Sequence, residues 1–290
     1  MNTDKFNADE ATLSVDLSEA RQAVKESRFK DALSLLEIIL ESQPDNIDSL
    51  YLAAVCSRYL KAFDESQKYI EGLLALAPDM GRAYQELGHL NRDMGNEDKS
   101  VMHYRQACEL NPALLAPWKI LYNYFKKNNN QPAADHALQQ INKLESLPAS
   151  LLYIDQIMNE GRLGIAETKC RAFLKKNPRH TYAMSLLAEI ANRLGYFDDA
   201  ELLLEKAVEF KPEDGELRMK YATILRKKQK FAKTMDQVNI LCDQYPDNLS
   251  YQAQKASEVM QNGGHEEAIK ILDNILKKNP YNFSTFTSKG

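Results

Sequence analysis

The sequence predicts an all-α fold of stacked helix-turn-helix repeats, and the spacing of its prolines is the first of three regularities that support this prediction. Prolines that follow helix-like segments lie 34 residues apart within two runs, Pro44, Pro78 and Pro112, then Pro178, Pro212, Pro246 and Pro280. A 34-residue period is typical of repeats that each fold as a pair of helices. Each proline is expected to end the second helix of its pair, because proline lacks an N–H group and clashes with the preceding turn.

Small residues at two places in each period are the second regularity. With the proline numbered as repeat position 32, eight repeats begin at residues 13, 47, 81, 115, 147, 181, 215 and 249. Repeat position 8 holds Ala20, Ala54, Gly88, Tyr122, Ile154, Ala188, Ala222 and Ala256. Repeat position 20 holds Ala32, Ser66, Ser100, Ala134, Ala166, Ala200, Thr234 and Ala268. Helices that cross closely need a small side chain where their backbones approach, so we expect close crossings at these positions.

Glycine at repeat position 15 is the third regularity. It occurs in four repeats, at Gly95, Gly161, Gly195 and Gly263. There the first helix must end in a left-handed conformation, which glycine adopts at little cost. Repeat position 24 is mostly large and is expected to fill the space between repeats; its residues are Leu36, Ile70, Tyr104, Leu138, Cys170, Leu204, Val238 and Leu272.

The pattern resembles the tetratricopeptide repeat (TPR) over essentially the whole chain from residue 13 onward. The segments "YQELGHLNRDMGNEDKSVMHYRQACELNP" and "MSLLAEIANRLGYFDDAELLLEKAVEFKP" carry the resemblance best. It implies a right-handed superhelical solenoid of about eight helix pairs, preceded by a tail or cap at residues 1–12. Residues 283–290 read as the start of a truncated ninth repeat, so we expect the array to continue beyond Gly290.

The fourth repeat departs from the pattern. Its position 32 is Ser146, its proline comes two residues late at Pro148, and Pro132 is expected in the first turn of its second helix. Large residues also occupy repeat position 8 in the fourth and fifth repeats. One interpretation is a trimmed loop without consequence; the other is a joint that divides repeats 1–4 (13–146) from repeats 5–8 (147–282).

Composition limits the classes of partner. The chain has 290 residues, of which 44% are hydrophobic and 27% charged, and its net charge is only −4, so nothing demands a nucleic acid or an anionic membrane. No secretory signal and no apolar stretch long enough to span a membrane is visible. The cysteines, Cys56, Cys108, Cys170 and Cys242, fit neither a disulfide framework nor a zinc site, and we expect buried, reduced thiols in the cytoplasm.

Motifs for catalysis, cofactors or metals are not found in the sequence. No phosphate-binding loop occurs, the glycines never fall as G-x-G, and "HEEAI" at residues 265–269 lacks the second histidine of a metalloprotease helix. We therefore predict no catalytic residue, cofactor or metal in this chain, and a non-catalytic protein-interaction scaffold.

The first helix of each repeat is expected to line the concave face through positions 2, 5, 9, 12 and 13. The candidate partner-binding residues there are Tyr51, Arg58, Arg82, Gln85, His89, Arg92, Lys119, Asn123 and Lys126. They form a basic and aromatic patch in an acidic chain, although Asp48 and Asp93 lie nearby. We hypothesise that the patch binds an acidic or carboxylate-bearing protein segment by charge-assisted hydrogen bonds. The alternative is a solvated charged surface without a ligand.

Two family comparisons refine this hypothesis. TPR proteins that bind chaperone tails carry a five-residue clamp, which Lys119 and Asn123 match but Leu152, Tyr182 and Leu186 do not, so we reject that mode. Residues 147–290 resemble the amino-terminal region of bacterial TPR-sulfotransferase proteins. That resemblance implies a recruiting region for a downstream domain that uses the sulfate donor PAPS. The alternatives are a stand-alone TPR adaptor and an array that forms a homodimer through an uncapped C-terminal end.

Overall fold

The computed structural model describes residues 17–278, which form sixteen α-helices and no strand. The predicted tail at residues 1–12 and the predicted ninth repeat at 283–290 lie outside the described residues. The helices are α1 (Leu17–Lys25), α2 (Phe29–Ser42), α3 (Ile47–Tyr59), α4 (Phe63–Leu76), α5 (Gly81–Asp93), α6 (Glu97–Leu110), α7 (Leu115–Lys127), α8 (Gln131–Glu145), α9 (Ala149–Asn159), α10 (Leu163–Lys176), α11 (Thr181–Arg193), α12 (Phe197–Phe210), α13 (Gly215–Lys227), α14 (Phe231–Gln244), α15 (Leu249–Gln261) and α16 (His265–Lys278). The all-α fold of helical repeats is confirmed.

The helix starts follow the predicted repeat boundaries. In six repeats the first helix begins at the first residue of the repeat, as α3 does at Ile47 and α13 at Gly215. Asn46 and Asp214 cap these two helices, because their side chains accept hydrogen bonds from the backbone N–H groups of Ser49 (3.0 Å) and Leu217 (3.1 Å). The capping side chains and the 34-residue period therefore indicate the same starting residue for these repeats.

In all eight repeats, the second residue after the first helix has a positive φ and lies at repeat position 15. Four of these are the predicted glycines, with φ from 77° to 85°; the other four are Ser27, Lys61, Asn129 and Gln229, with φ from 57° to 62°. In seven of these turns the next backbone N–H bonds five residues back, as Ala62 does to Ser57 (2.9 Å). This is the Schellman arrangement, which reverses the chain direction within a few residues. The turn geometry is thus fixed by the repeat even where glycine is absent.

The two small positions meet where the helices of a pair cross. Ser66 and Ser100, both at repeat position 20, donate hydrogen bonds to the carbonyl groups of Ala54 (2.9 Å) and Gly88 (2.8 Å) at repeat position 8. At Gly88 an added Cβ would lie 2.6 Å from the fully buried Tyr104 ring. The close crossings inferred from the small residues are therefore present, and Gly88 leaves the room that Tyr104 fills.

Repeat position 24 is buried in most repeats, as predicted, but Leu138 in the fourth repeat is 37% exposed. The prediction that it fills the space between repeats is wrong. The buried line of α8 runs through Ala134, Ala137, Ile141 and Leu144, so the next residue after Ala137 turns outward. Pro132 lies in the first turn of this helix, as expected.

The chain divides into two compact units. The described parts are an N-terminal module, residues 17–161 with α1–α9, and a C-terminal module, residues 162–278 with α10–α16. Within the N-terminal module, close backbone packing between α8 and α9 is sparser than between its other consecutive helices. The sequence-based boundary between residues 146 and 147 falls before α9, whereas the compact units divide after it.

Replacing Gly88 by alanine tests the close crossing. We expect Gly88→Ala to lower the free energy of unfolding by about 1–3 kcal/mol, because the new methyl group overlaps the buried Tyr104 ring. Gly72→Ala is the matched control: this site in α4 leaves 3.9 Å to the nearest atom, and alanine there should be neutral or stabilising by up to about 1 kcal/mol. Urea denaturation of both variants measures the difference, and equal stabilities would contradict the crossing geometry.

Replacing the exposed non-glycine residues at repeat position 15 tests the turn. Lys61→Gly and Gln229→Gly should each raise the free energy of unfolding by roughly 0.5–1 kcal/mol, because an L-residue is strained at positive φ. Gly95→Ala should lower it by about 1 kcal/mol for the same reason. Denaturation midpoints measure these changes. Lower midpoints for Lys61→Gly and Gln229→Gly, or a higher one for Gly95→Ala, would show that these turns are not left-handed.

Candidate functional site

The nine candidate residues lie on α3, α5 and α7, the first helices of repeats 2–4 in the N-terminal module. Helices α3 and α5 pack directly on each other. Arg58 and Arg92 share Asp93, Arg82 lies over Tyr51, and the α7 residues Lys119 and Lys126 have contacts of their own. We call this surface the N-groove, defined by Tyr51, Arg58, Arg82, Gln85, His89, Arg92, Lys119, Asn123 and Lys126.

Arg58 is buried beneath the N-groove rather than open to a partner. Its guanidinium donates to the buried carboxylate of Glu86 and, at 2.8 Å, to Asp93. It also lies 4.4 Å from the centre of the Tyr59 ring. Burial alone would raise the pKa of Asp93, but hydrogen bonds from Arg58 and Arg92 bring it below its usual value. This network joins α3 to α5 and compensates much of the positive charge predicted here.

Arg82 holds a carboxylate in the N-groove, and that carboxylate belongs to this chain. Both oxygens of Glu160 contact the Arg82 guanidinium, one of them at 2.7 Å from Nη2, and the Glu160 side chain is only 3% exposed. The guanidinium lies 4.7 Å from the centre of the Tyr51 ring. Burial, together with the Glu86 carboxylate, raises the pKa of Tyr51 to about 12, so this phenol stays protonated at neutral pH. A planar cation over an aromatic ring gives a two-pronged carboxylate site.

His89 is neutral in this setting. Its Nδ1 and the Tyr104 hydroxyl are hydrogen-bonded at 2.7 Å. Burial, and then the charges of Arg58 and Arg92, lower the pKa of His89 to about 4. This histidine therefore forms a neutral hydrogen bond with Tyr104 and adds no positive charge at neutral pH.

The remaining candidates line the exposed part of the N-groove. Arg92 is half exposed and donates to its neighbour Asp93 (3.0 Å), and Lys119 pairs with Glu145 (2.6 Å). Gln85 is half-buried, and Asn123 is exposed. Lys126 is exposed and lies over the Tyr122 ring at 5.5 Å, a neutral partner.

The first helices of the C-terminal module present a more compensated surface. Arg226 pairs with the buried Glu258 of the next repeat, and Arg193 with Glu189 (2.9 Å). Lys220 and Lys227 donate to Ser185 (2.9 Å) and Asn192 (2.8 Å) of the preceding first helix. These cations therefore pair with groups of the same module.

Groups that carry chemistry are scattered rather than assembled. Between residues 17 and 278 no three His, Cys, Asp or Glu side chains come together as a metal site. Burial raises the pKa of the Cys56 and Cys170 thiols to about 12, so neither forms a nucleophilic thiolate at neutral pH. In the same range, no helix is long and apolar enough to cross a membrane.

Sequence reasoning missed two carboxylates at this site. Glu86 was not considered because it lies at repeat position 6, which the groove pattern does not include. Glu160 reaches Arg82 from 78 residues away in sequence, and nothing in a 34-residue period points to such a contact. Arg82, Arg92, Lys119 and Lys126 lie on the first helices, whereas Arg58 is buried in an ion pair and His89 is neutral, and the repeat pattern does not predict the anions that meet these cations.

The neutral state of His89 predicts a pH dependence of stability. An unfolded histidine titrates near 6.5 and the folded one near 4, so between these values the unfolded chain binds more protons. The contribution of neutral His89 to the free energy of unfolding is fully present above about pH 6.5. It should fall by roughly 2–3 kcal/mol as the pH drops to 4. His89→Asn, whose side-chain oxygen can accept the Tyr104 hydrogen bond, should lose this part of the pH dependence. Denaturation at pH 7.5, 5.5 and 4.5 measures it, and parallel profiles for the two proteins would contradict the assignment.

Comparison with known proteins identifies the repeats. The family described as "Tetratricopeptide repeat" matches residues 17–79 and 158–215 with one repeat profile and residues 81–114 with another. Together these matches cover more than half of the chain, and they leave the stretch 115–157 between them unmatched. No curated protein matches the sequence at a significant level.

Several solved structures show distant similarity. One of Naa15/Naa10 bound to HypK-THB is 17% identical, covers 91% of this chain and 42% of its own, and has a TM-score of 0.40. A thermophilic TPR protein of Thermus thermophilus is 18% identical, with 84% and 97% covered and a TM-score of 0.33. The APC/C hetero-tetramer Cut9-Hcn1 is 16% identical, with 92% and 53% covered and a TM-score of 0.41. The chain thus spans less than half of the first of these proteins, and similarity at this level says nothing about function.

The repeat period, the helix pairs, the left-handed turns and the family matches all agree, and the chain belongs to the tetratricopeptide repeat family.

Proposed function

We propose that the N-groove binds an acidic segment of a partner protein, and that the chain acts as a non-catalytic interaction scaffold. The observation that carries this proposal is the Glu160 carboxylate, which is almost fully buried against Arg82 in the groove. A carboxylate from this chain fits the site, so the shape and the hydrogen-bond donors suit a carboxylate from a partner. Repeat scaffolds bind partners along such first-helix surfaces.

The exposed part of the N-groove adds the charge that would attract the rest of the segment. Lys126 contacts the neutral Tyr122, and Arg92 shares Asp93 with Arg58. A segment with several carboxylates can therefore make charge-assisted hydrogen bonds at both places. Since these side chains are exposed, salt should weaken the interaction.

A second proposal concerns the larger protein. The resemblance of residues 147–290 to bacterial TPR-sulfotransferase proteins supports a recruiting role for a PAPS-dependent domain that follows the repeats. In that case the N-groove would hold the acidic segment of a substrate protein or of an accessory protein in the cytoplasm. A stand-alone adaptor and a homodimer through the C-terminal end are the alternatives, and the same groove proposal holds for either.

Charge reversal in the exposed part of the groove tests the proposal. With a fluorescein-labelled dodecapeptide that contains six glutamates as the probe, Arg92→Glu with Lys126→Glu should weaken binding at least about tenfold at low salt, because two attractive contacts become repulsive. Fluorescence anisotropy measures the affinity.

The matched control carries the same change of charge outside the groove. Lys30 and Lys68 lie exposed on α2 and α4, the second helices of their repeats. Lys30→Glu with Lys68→Glu should leave the affinity within about twofold of the unmodified chain, apart from the shared effect of net charge. An equal loss in both double variants, or no loss in either, would overturn the groove proposal.

A further inference from the structure

Helix α9 differs from the other first helices in what it contacts. Its Gln156 side chain donates to the carbonyl group of Ala113 (3.0 Å), and its backbone carbonyl accepts from the Asn111 side chain (3.1 Å). Asn111 is fully buried, and both partners lie in the turn between α6 and α7. The helix is thus fastened to a turn two repeats earlier in the chain.

The end of α9 makes a second attachment. Glu160 follows the last residue of the helix, and its carboxylate lies on Arg82 above Tyr51, as described for the N-groove. Gln156 and Glu160 are four residues apart, so they lie on the same side of the helix. One face of α9 therefore carries an amide and a carboxylate that are both received by earlier repeats.

Helix α9 contacts this surface as a ligand does, rather than as the next member of the stack. Its close backbone packing with α8 is sparse, and it falls within the stretch 115–157 that the repeat profiles leave unmatched, apart from its last two residues. Its polar contacts with the earlier repeats are the hydrogen bonds of Gln156 and the ion pair of Glu160, and the helix also buries Leu151, Ile154, Ile157 and Met158. A partner helix that replaces α9 must therefore bring an apolar face of its own, whereas the polar contacts can be exchanged at little net free energy, because a buried ion pair contributes little beyond its desolvation penalty.

We propose that Tyr51, Arg82, Asn111 and Ala113 form a docking site for a partner helix that carries an amide side chain four residues before a carboxylate, and that α9 occupies this site in cis. The inference rests on the proposed function, since it names the segment that the N-groove receives. A tethered occupant acts at an effective concentration on the order of millimolar, so the partner binds weakly until α9 is displaced. The partner's affinity is reduced by the fraction of molecules in which the site is open.

A peptide of this chain's own residues 146–162, labelled with fluorescein, is the probe. The unmodified chain should bind it weakly, because α9 already fills the site. Glu160→Gln removes the carboxylate in cis and should tighten peptide binding at least about tenfold. Adding Arg82→Gln to that variant should abolish the gain, and a peptide with glutamine in place of its glutamate should bind the Glu160→Gln chain at least about tenfold more weakly.

Hydrogen–deuterium exchange shows whether the Glu160→Gln chain remains folded. We expect faster exchange in residues 149–160, with α3–α6 as protected as in the unmodified chain. If exchange rises equally in α3–α6, α9 is a structural part of the module and the inference is overturned. Equal peptide affinity for the unmodified and Glu160→Gln chains also overturns it.

The experiments distinguish a failure of the proposed function from a failure of the docking site for α9. If the acidic dodecapeptide binds through Arg92 and Lys126 but Glu160→Gln changes nothing, the groove proposal stands and the docking site for α9 does not. If the dodecapeptide does not bind while Glu160→Gln opens the site to the 146–162 peptide, the docking site stands and the acidic-groove proposal does not.

Discussion

The close crossing of the two helices in each repeat is the constraint on which the rest of the structure depends. Small residues at repeat positions 8 and 20 let the backbones approach, and Ser66 and Ser100 then bond the carbonyl groups opposite them. The left-handed residue at position 15 closes the pair by reversing the chain within a short turn. The packing of the pair fixes the direction of each side chain on the first helix. Repeat positions 5, 9 and 12 of neighbouring repeats therefore lie on the same surface.

Several charged side chains on that surface form ion pairs within the protein. Arg58 and Arg226, at the same position of repeats 2 and 7, each pair with a buried glutamate on the first helix of the next repeat. Removing one partner of such a pair costs about 3–5 kcal/mol, because the other charge is left buried alone. These arginines therefore hold neighbouring repeats in register, and the recognition that we propose involves Arg82 and the exposed Arg92 and Lys126.

Most of the fold could be predicted from the sequence, because the 34-residue period indicates the boundaries of the helices in every repeat. Four left-handed turns were visible as glycines, and the other four follow from the same position although Lys61 and Gln229 give no local sign of it. The direction of Leu138 could not be predicted, because one helix in the fourth repeat buries a different line of residues. The pairing of Glu160 with Arg82 could not be predicted either. The two residues lie 78 positions apart, and a 34-residue period predicts no contact at that separation. The repeat pattern thus predicts which helices carry the cations and does not predict the carboxylates that pair with them; their role in binding stays a prediction.

Hydrogen–deuterium exchange of the unmodified chain, with and without the saturating acidic dodecapeptide, tests most directly whether a partner carboxylate takes the place of Glu160 on Arg82. The account predicts that bound peptide speeds exchange in residues 149–160 and leaves α3–α6 at least as protected as before. Bound peptide with unchanged exchange in residues 149–160 would contradict it, since Glu160 would then keep its place on Arg82 while the peptide is bound.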